Sequence, residues 1–238
     1  MSIDTKDLST SLRRLAALEH DASGVVNALH EVAEACVDLF DVTGSGIMLA
    51  DEQNIPHYVA ASDGSGRFLE RAESSSGEGP CTEAFVNNRV THSEDVTEDT
   101  RWPRLAEAIR GHGVRAVLGV PVCLGAIPVG TLDVYLDHRH DWNDHERRAL
   151  TRYSDVVETA LAAAVRAHTA GELAGQLQYA LDYRVTIERA VGYLMAADGV
   201  DAVTAFNRLR RAARSQRTKI GEIALQVLAT GRLGVAGS

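Results

Sequence analysis

The sequence has no segment that would mark a membrane or secreted protein. Its 238 residues contain no run of about 18 apolar residues, so no membrane-spanning helix is expected. The first 21 residues, MSIDTKDLSTSLRRLAALEHD, are polar and amphipathic and lack the apolar core of a secretion signal. The only cysteines are Cys36, Cys81 and Cys123, which form neither an even disulfide framework nor a CxxC pair. These features predict a reduced, cytoplasmic protein with no membrane partner.

The sequence also lacks the common catalytic motifs. GxSxG, GxxxxGK[ST] and HExxH are all absent. His138, His140 and His145 lie near Asp137 and Asp141. These residue types bind metals, but their spacing matches no recognised metal motif. We therefore expect no enzyme, no metal site and no identifiable cofactor, with solvated side chains in this histidine-rich segment.

Charge is distributed unevenly along the chain, whose formal net charge is −9. Residues 1–170 carry 15 basic and 27 acidic side chains, whereas residues 171–238 carry 9 and 6. The net charge thus changes from −12 to +3 near AHTAGE, residues 167–172. This shift predicts an N-terminal polar segment over residues 1–21, one domain over 22–167 and a second domain over 168–238.

The hydrophobic pattern of residues 22–167 predicts an α+β fold. An amphipathic helix over 24–40 precedes two strands, SGIMLAD and HYVAASD, while SDGSG and ESSSGEG are typical of loops. A helix at CTEAFVNNR, an extended VTHSEDV and a helix over 104–112 follow. The strands VRAVLGVPVCL and IPVGTLDVYLD are joined by a turn at Gly125-Ala126, and a long helix capped by Asn143 closes the domain. This order predicts a central antiparallel sheet with helices packed on one side.

The next segment has a heptad pattern typical of paired helices. Its spacings alternate between four and three residues, which predicts a coiled-coil homodimer seam. Arg184 stands inside this seam, where Glu188 at i+4 can pair with it. The preceding helix has its own seam in an offset register, from Leu150 and Tyr153 through Val157 to Ala167. The second seam is formed by Leu173, Leu177, Ala180, Arg184, Ile187, Val191 and Leu194.

A short basic helix is predicted after this seam, with Asp201 as its N-cap. On a helical wheel the apolar residues, including Phe206 and Leu209, share one arc, and four arginines share the other. A third helix is predicted from Thr218, burying Ile220, Ile223, Ala224, Val227 and Leu228. Basic clusters and helix N-termini favour phosphate, so the pattern alone suits nucleic acid about as well as a merely solvated face. The predicted contacts are Arg208, Arg210, Arg211, Arg214, Arg217, Thr218 and Lys219.

The first domain resembles a GAF domain, a small-molecule sensor module, of the kind found in actinobacterial signalling proteins. The resemblance is carried by GEGPC, by RWPRLAEAIRGHGVRAVLGVPV and by VGTLDVYLD, over residues 22–167. It implies a sensor pocket to which Cys81 and Trp102 could contribute, without naming the ligand. A cysteine in such a loop is more often a small buried residue. The NKFDE-type signature of cyclic-nucleotide-binding GAF domains is absent.

The second domain resembles an ANTAR domain over about 55 residues, from LQYALDYRVTIERAVGYLMAADGV to KIGEIALQVL. The resemblance implies three helices, and a dimer that grips tandem stem-loops of nascent leader transcripts and prevents transcription termination. The AKG of the family is Ala190-Val191-Gly192 here, so a basic residue is missing at Val191.

The leading hypothesis is therefore a cytoplasmic GAF–ANTAR regulator that binds RNA, forms a homodimer and responds to a small molecule or a partner. One alternative is a ligand-gated DNA-binding regulator, because short helices with a basic face also suit a major groove. Another is a GAF-type methionine sulfoxide reductase that uses Cys81, with Cys123 as a resolving thiol. The basic C-terminal domain favours the first hypothesis over the reductase.

Overall fold

The structure is a computed structural model that describes residues 5–16, 24–51, 56–62, 64–167 and 172–233. Its first part, the sheet domain, comprises residues 5–167. The elements of this domain are α1 (Thr5–Ala16), α2 (Gly24–Phe40), β1 (Gly44–Ala50), β2 (Pro56–Ala61), α3 (Gly64–Ser76), α4 (Pro80–Asn87), β3 (Thr91–Ser93), α5 (Pro103–Ile109), β4 (Ala116–Leu124), β5 (Ile127–Leu136) and α6 (Asp144–Ala167). The second part, the helical unit, consists of α7 (Glu172–Asp198), α8 (Ala202–Gln216) and α9 (Ile220–Thr230).

The strands form an antiparallel sheet in the order β2-β1-β5-β4-β3. The β4–β5 hairpin turns at the predicted Gly125-Ala126, where Gly125 has a φ of 66°. Glycine suits this left-handed conformation because it has no Cβ. The sheet leaves β2 and β3 at its two edges. The predicted α+β class and the antiparallel sheet are confirmed.

One face of the sheet is covered by α2 and α6, and α1 packs on these two helices. Leu29, Val32 and Cys36 of α2 pack with apolar side chains of the central strands. Leu150, Tyr153 and Val157 of α6 lie fully buried in the same core. The heptad spacing of α6 therefore reflects burial within its own domain, and the prediction of a dimer seam at these residues is wrong.

The opposite face of the sheet is covered by α3, α4 and α5. Helices therefore flank both faces, and the prediction that they pack on one side is wrong. The glycines that open α3 and the three serines that end it predict loops, whereas the structure has a helix here. Its burial of Leu69 and Ala72 against the sheet outweighs these weak helix formers. The space between sheet and helices is filled by side chains, among them Met48, Leu69, Trp102, Leu105, Ile109 and Tyr135.

Polar side chains cap two helices where the sequence places their starts. The Oδ1 atom of Asn143 accepts hydrogen bonds from the backbone N–H groups of His145, at 2.8 Å, and Glu146, at 3.0 Å. The Glu146 carboxylate in turn accepts the backbone N–H of Asn143 at 2.8 Å. This reciprocal pair is a capping box. Asp201 caps α8 by accepting the backbone N–H of Thr204 at 2.8 Å.

The helical unit folds on its own apolar core. Ile187, Ala190 and Leu194 of α7 are buried against apolar side chains of α8 and α9. The start of α9 fits closely on α7, since a Cβ at Gly221 would lie 2.4 Å from Cδ1 of Tyr183. Helix α9 begins at Ile220, and Leu228 is 41% exposed, not buried as the spacing predicted.

Within the described residues, no helix is both long enough and apolar enough to cross a membrane.

Candidate nucleic-acid interface and its junction with the sheet domain

Three arginines are exposed together where α8 ends and turns into α9. They are Arg211, Arg214 and Arg217, and within the described part of the chain none forms an ion pair. Arg217 takes a left-handed conformation with a φ of 51°, and its backbone N–H is donated to the carbonyl of Arg214. This turn keeps the three guanidinium groups near one end of α8. The arrangement suits phosphate groups because each guanidinium offers unpaired donors in a planar fork.

Three other predicted contacts already have partners within the chain. Arg208 forms an ion pair with Asp198, at the end of α7. The Thr218 hydroxyl donates a hydrogen bond to the Glu222 carboxylate. The Lys219 ammonium lies 4.8 Å from the centre of the Tyr179 ring. A nucleic acid that used these groups would have to replace such intramolecular contacts.

Arg210 departs from the helical-wheel prediction of an exposed arginine. Its side chain is buried, with only 4% exposure, because α8 packs against the sheet domain on this side. The Nη2 atom donates a hydrogen bond of 2.9 Å to the Ser74 carbonyl, while Nε and Nη1 have no hydrogen-bond partner. Burial, followed by the charges of Arg214 and Arg211, lowers the pKa of Arg210 to about 10. In this conformation Arg210 is not available to nucleic acid.

The junction between the two parts of the molecule is built on α4 and α8. The rings of Phe85 and Phe206 meet edge to face, with their centres 6.0 Å apart. Asn207 donates a hydrogen bond of 2.6 Å to the Gly77 carbonyl. Phe85 also belongs to the core of the helical unit, so the two parts share apolar surface.

The heptad seam of α7 is partly covered by the chain itself. Ile187 and Leu194 are buried and Val191 is partly buried, all packed within the helical unit rather than on a free face. This part of the seam therefore does not present the exposed stripe that was predicted. The side chains of Leu173, Leu177 and Ala180 lie outside the described residues.

Arg184 has the predicted partner and a second one that the sequence did not indicate. Its Nε lies 2.9 Å from the Glu188 carboxylate, as the i+4 spacing predicts. Its guanidinium carbon lies 5.1 Å from the centre of the Phe85 ring. Arg184 is thus a contact between α7 and the sheet domain, with an ion pair that offsets part of its burial.

Cys81, the last residue of GEGPC, is fully buried in the first turn of α4. Its backbone N–H and that of Thr82 donate to the Glu73 carboxylate at 3.2 and 2.7 Å. Burial, followed by the charge of Glu73, raises the pKa of the Cys81 thiol well above its ordinary value. A thiol that stays protonated is a poor nucleophile, so this geometry favours a structural cysteine.

Cys123 is placed away from Cys81. The Cys81 backbone faces Gly119 of β4, at 3.5 Å from the position a Cβ would take there. Cys123 lies four residues further along the same strand, which is about 13 Å at the usual rise per residue. A disulfide requires Cα atoms within about 7 Å, so these two cysteines are not placed to form one.

Trp102 is buried at the start of α5, with the Arg101 guanidinium carbon 4.1 Å from its ring centre. It contributes to a cavity of about 370 Å³ that reaches the N-terminus of α8. Two arginines in this cavity are already paired, Arg104 with Glu78 at 2.6 Å and Arg89 with Glu83. Of the two candidate pocket residues, Trp102 thus lies at a cavity of the junction, and Cys81 is enclosed in the core.

A second groove, of about 770 Å³, lies at the edge of the sheet. It is lined by β2, by α3 with Arg67 and Arg71, and by Arg214 of α8. It joins the predicted nucleic-acid face to the sheet domain.

The histidine-rich segment makes local contacts. His140 Nε2 lies 3.0 Å from the Glu146 carboxylate, and His138 Nδ1 lies 2.8 Å from that of Asp137. Across the residues with described positions, no group of three or more His, Cys, Asp or Glu side chains is arranged to hold a metal ion.

Several residues of the junction were not indicated by the sequence. Glu73 stands in a stretch that was expected to be a loop, and Asn207 lies among arginines that dominate its helix. Arg67 and Arg71 have the i,i+4 spacing of neighbours on a helix face. That spacing was the one available signal, and it would have required recognising α3 as a helix.

Comparison with known proteins assigns a family to both parts. A family model of the GAF domain matches residues 25–161, more than half of the chain, and a model of the ANTAR domain matches residues 175–228. No curated protein matches this chain.

Solved structures share the fold of the sheet domain. The GAF domain from Acinetobacter phosphoenolpyruvate-protein phosphotransferase has a TM-score of 0.54 at 17% identity, covering 68% of this chain and 95% of that one. The GAF domain of the Coxiella burnetii phosphotransferase of the same name has a TM-score of 0.55 at 16% identity, covering 69% and 95%. The free methionine-R-sulfoxide reductase from Neisseria meningitidis also has a TM-score of 0.55 at 16% identity, covering 70% and 96%. At these identities the likeness establishes the fold alone.

Proposed function

This chain belongs to the GAF domain family and carries an ANTAR domain behind its GAF domain, and from this premise we propose that it is a signal-responsive transcription antiterminator. The pair of domains makes it a signal-sensing regulator with an RNA-binding output. We further propose that the ANTAR domain binds tandem stem-loops in nascent RNA and that the GAF domain controls this binding.

The observation that carries the proposal is the exposed arginine cluster at the end of α8, made of Arg211, Arg214 and Arg217. It stands on the ANTAR domain of a chain whose net charge is −9, so a basic surface is concentrated where the output is expected. Phosphate contacts supply a large share of the affinity of proteins for nucleic acids. We propose these three arginines as the main phosphate contacts, with Arg208, Thr218 and Lys219 joining after their internal contacts open.

We also propose that the active form is a homodimer. The described apolar seam residues of α7, Ile187, Val191 and Leu194, are packed within the monomer. The contact would therefore use the seam residues nearest the domain boundary, Leu173, Leu177 and Ala180. Two copies would double the number of arginine clusters, which suits a target with two stem-loops.

The junction supports control of one domain by the other. Helix α8 carries the arginine cluster on one side and contacts α4 through Phe206 and Asn207 on the other. A ligand that changes the position of α3 or α4 would therefore move the helix that holds the proposed RNA contacts.

The test begins with RNA cross-linked to the full-length protein in its own cells and identified by sequencing. The recovered RNA is then titrated in gel-shift assays at several salt concentrations. Replacing Arg211 and Arg214 with alanine should weaken binding and reduce the log–log salt slope by about one unit or less per lost contact. The matched control is Arg148→Ala/Arg152→Ala, which removes two exposed arginines from α6.

An unchanged affinity and slope for Arg211→Ala/Arg214→Ala would place the RNA surface elsewhere. Competition with duplex DNA of equal length distinguishes RNA from DNA as the target. If duplex DNA competes as well as the recovered RNA, the chain is a DNA-binding regulator and the antitermination proposal fails.

A further inference from the structure

The groove at the sheet edge has the size and the charge of a small-molecule site. Its volume of about 770 Å³ lies within the range of about 300–1,000 Å³ that is typical of ligand pockets. Ala60 and Ala61 of the edge strand β2 line one wall, and their small side chains leave room beside the strand. Helix α3, His30 of α2 and the end of α8 line the other walls.

Three arginines from two domains line this groove. Arg67 and Arg71 lie one turn apart on α3, and Arg214 approaches from α8. Each is exposed, and none has an ion-pair partner among the residues that the structure describes. Glu70 also lines the groove and offsets one of the positive charges, while Ser74 adds a hydroxyl group. The groove therefore holds a net positive charge.

Arg210 adds an independent observation beside this groove. Its buried guanidinium has two nitrogen atoms, Nε and Nη1, that make no hydrogen bond. Its third nitrogen, Nη2, is held by the carbonyl of Ser74, a groove-lining residue. Arg214 is one helical turn further along α8, and its charge opposes the charge of Arg210. Asp51 offsets part of the Arg210 charge. Because Arg210 is incompletely bonded and Arg214 lies beside it, a further anion would stabilise the pair.

We propose that this groove binds a small organic phosphate, with the phosphate held by Arg67, Arg71 and Arg214. Guanidinium groups bind phosphate through paired hydrogen bonds of fixed geometry, which makes three convergent arginines selective for this group. The Glu70 carboxylate and the Ser74 hydroxyl are suited to hydroxyl or amino groups on the body of the same ligand. The junction cavity beside Trp102 is less suited, because Arg89 and Arg104 there are already neutralised by glutamates.

The proposal rests on the proposed function in one respect, because it states that ligand binding weakens RNA binding. Arg214 belongs both to this groove and to the proposed RNA surface. A phosphate bound between α3 and α8 would occupy Arg214 and hold α8 against the GAF domain. The ligand and the RNA therefore compete, and the phosphate-bound form is the one that does not bind RNA.

The first experiment measures the site without RNA. Pyrophosphate is titrated into the full-length protein with EDTA present and ionic strength held constant with NaCl, and binding is followed by calorimetry and by the melting temperature. The wild-type protein should bind and melt at a higher temperature, because a ligand specific for the folded state stabilises it. The Arg67→Ala/Arg71→Ala variant should bind at least about tenfold more weakly, because it loses charge-assisted contacts.

The matched control is again Arg148→Ala/Arg152→Ala, with the same charge change and the same i,i+4 spacing on α6. It should bind pyrophosphate as the wild type does. Arg71→Gln is a milder second variant that keeps the fold if the double variant loses it, and it should also weaken binding. Absence of pyrophosphate binding to the wild type, or equal loss in the control, overturns the proposal.

The second experiment separates a small phosphate from RNA as the occupant. The recovered RNA is titrated with and without pyrophosphate at equal ionic strength. Pyrophosphate should weaken RNA binding of the wild type but not of Arg67→Ala/Arg71→Ala, whose RNA affinity without pyrophosphate should be unchanged. If that variant binds RNA more weakly by itself, α3 is part of the RNA surface and the small-molecule assignment is wrong. If the wild type binds pyrophosphate but no RNA, the antitermination proposal fails while the phosphate site remains.

Discussion

The side-chain amide of Asn207 donates a hydrogen bond to the backbone carbonyl of Gly77, with 2.6 Å between Nδ2 and the oxygen. The two residues belong to different domains and are separated by 130 positions in the chain. Gly77 has a φ of 70°, and a Cβ there would lie 2.9 Å from the Asn207 amide. A glycine thus allows α8 to approach the α3–α4 turn closely, which ties the proposed RNA-binding helix to the GAF domain.

Asn207→Ala is expected to loosen this junction without unfolding either domain. The change removes one hydrogen bond, worth about 1 kcal/mol, and leaves the Phe85–Phe206 contact in place. Hydrogen exchange measured by mass spectrometry should be faster in α8 and around Gly77. Ser215→Ala is the control, since Ser215 is exposed and bonds only to the Ala212 carbonyl within α8. Equal exchange in Asn207→Ala and the wild type would show that this hydrogen bond does not hold the domains together.

Glu73 is expected to make the stability of the GAF domain depend on pH near neutrality. Burial raises the pKa of its carboxyl from 4.5 to about 7 in the folded protein. Between about pH 5 and 7 the folded protein therefore binds more protons than the unfolded chain, and the free energy of unfolding falls as pH rises. The decrease in the free energy of unfolding due to Glu73 can reach about 3 kcal/mol, and it levels off above the pKa of Glu73 in the folded protein.

The measurement is urea denaturation at pH 5, 6, 7 and 8 for the wild type and for Glu73→Gln. The glutamine cannot ionise but keeps an oxygen that can accept the N–H groups of Cys81 and Thr82. As the pH rises, the unfolding free energy of the wild type should fall relative to that of Glu73→Gln. A difference independent of pH across this interval would show that Glu73 is ionised throughout.

Local patterns carried most of the fold prediction. Asn143 and Asp201 were predicted as caps from residue type and position, and both accept the backbone N–H groups that a cap must satisfy. The β4–β5 hairpin was likewise predicted from two β-rich runs around Gly125-Ala126. In each case the determining interaction lies within a few residues of the chain, so the sequence contains it directly.

Tertiary packing explains where the sequence was misleading. The spacing of Leu150, Tyr153 and Val157 is the same whether a helix faces a sheet or a second helix, and here it faces the sheet. Arg210 lies on the polar arc of α8, yet the neighbouring α3 covers it. Neither partner can be identified from the helix alone, because the covering residues belong to other elements, namely β4 for α6 and α3, 136 positions away, for Arg210. The arginine groove was missed for the same reason, since it joins α3 to α8.

Two charge substitutions in α7 should separate dimerisation from folding. Ile187 is 2% exposed in the core of the helical unit, so Ile187→Asp should destabilise that unit by about 3 kcal/mol or more. Leu177→Asp, at the seam near the domain boundary, should give a folded monomer. Light scattering with circular dichroism makes the distinction, and the wild type should have twice the chain mass of 25.6 kDa. A monomeric wild type at micromolar concentration would remove the dimer from the proposal, and a dimeric Leu177→Asp would place the interface elsewhere.

The cysteines should differ in their reactivity toward a thiol reagent. Cys36 and Cys81 are fully buried, and burial raises the pKa of both thiols. Burial also raises the pKa of the Cys123 thiol, but this residue is partly exposed on β4, where its Sγ lies 3.3 Å from Oδ1 of Asn88. Because thiol reagents need an accessible thiolate, one thiol should react quickly in the native protein and all three in denaturant.

Cys123→Ser should abolish the fast reaction, whereas Cys81→Ala should leave it unchanged. If a fast reaction of the wild type is missing in Cys81→Ala, Cys81 itself reacts and the GEGPC loop opens in solution. Thiol chemistry would then again be a candidate function of the GAF domain.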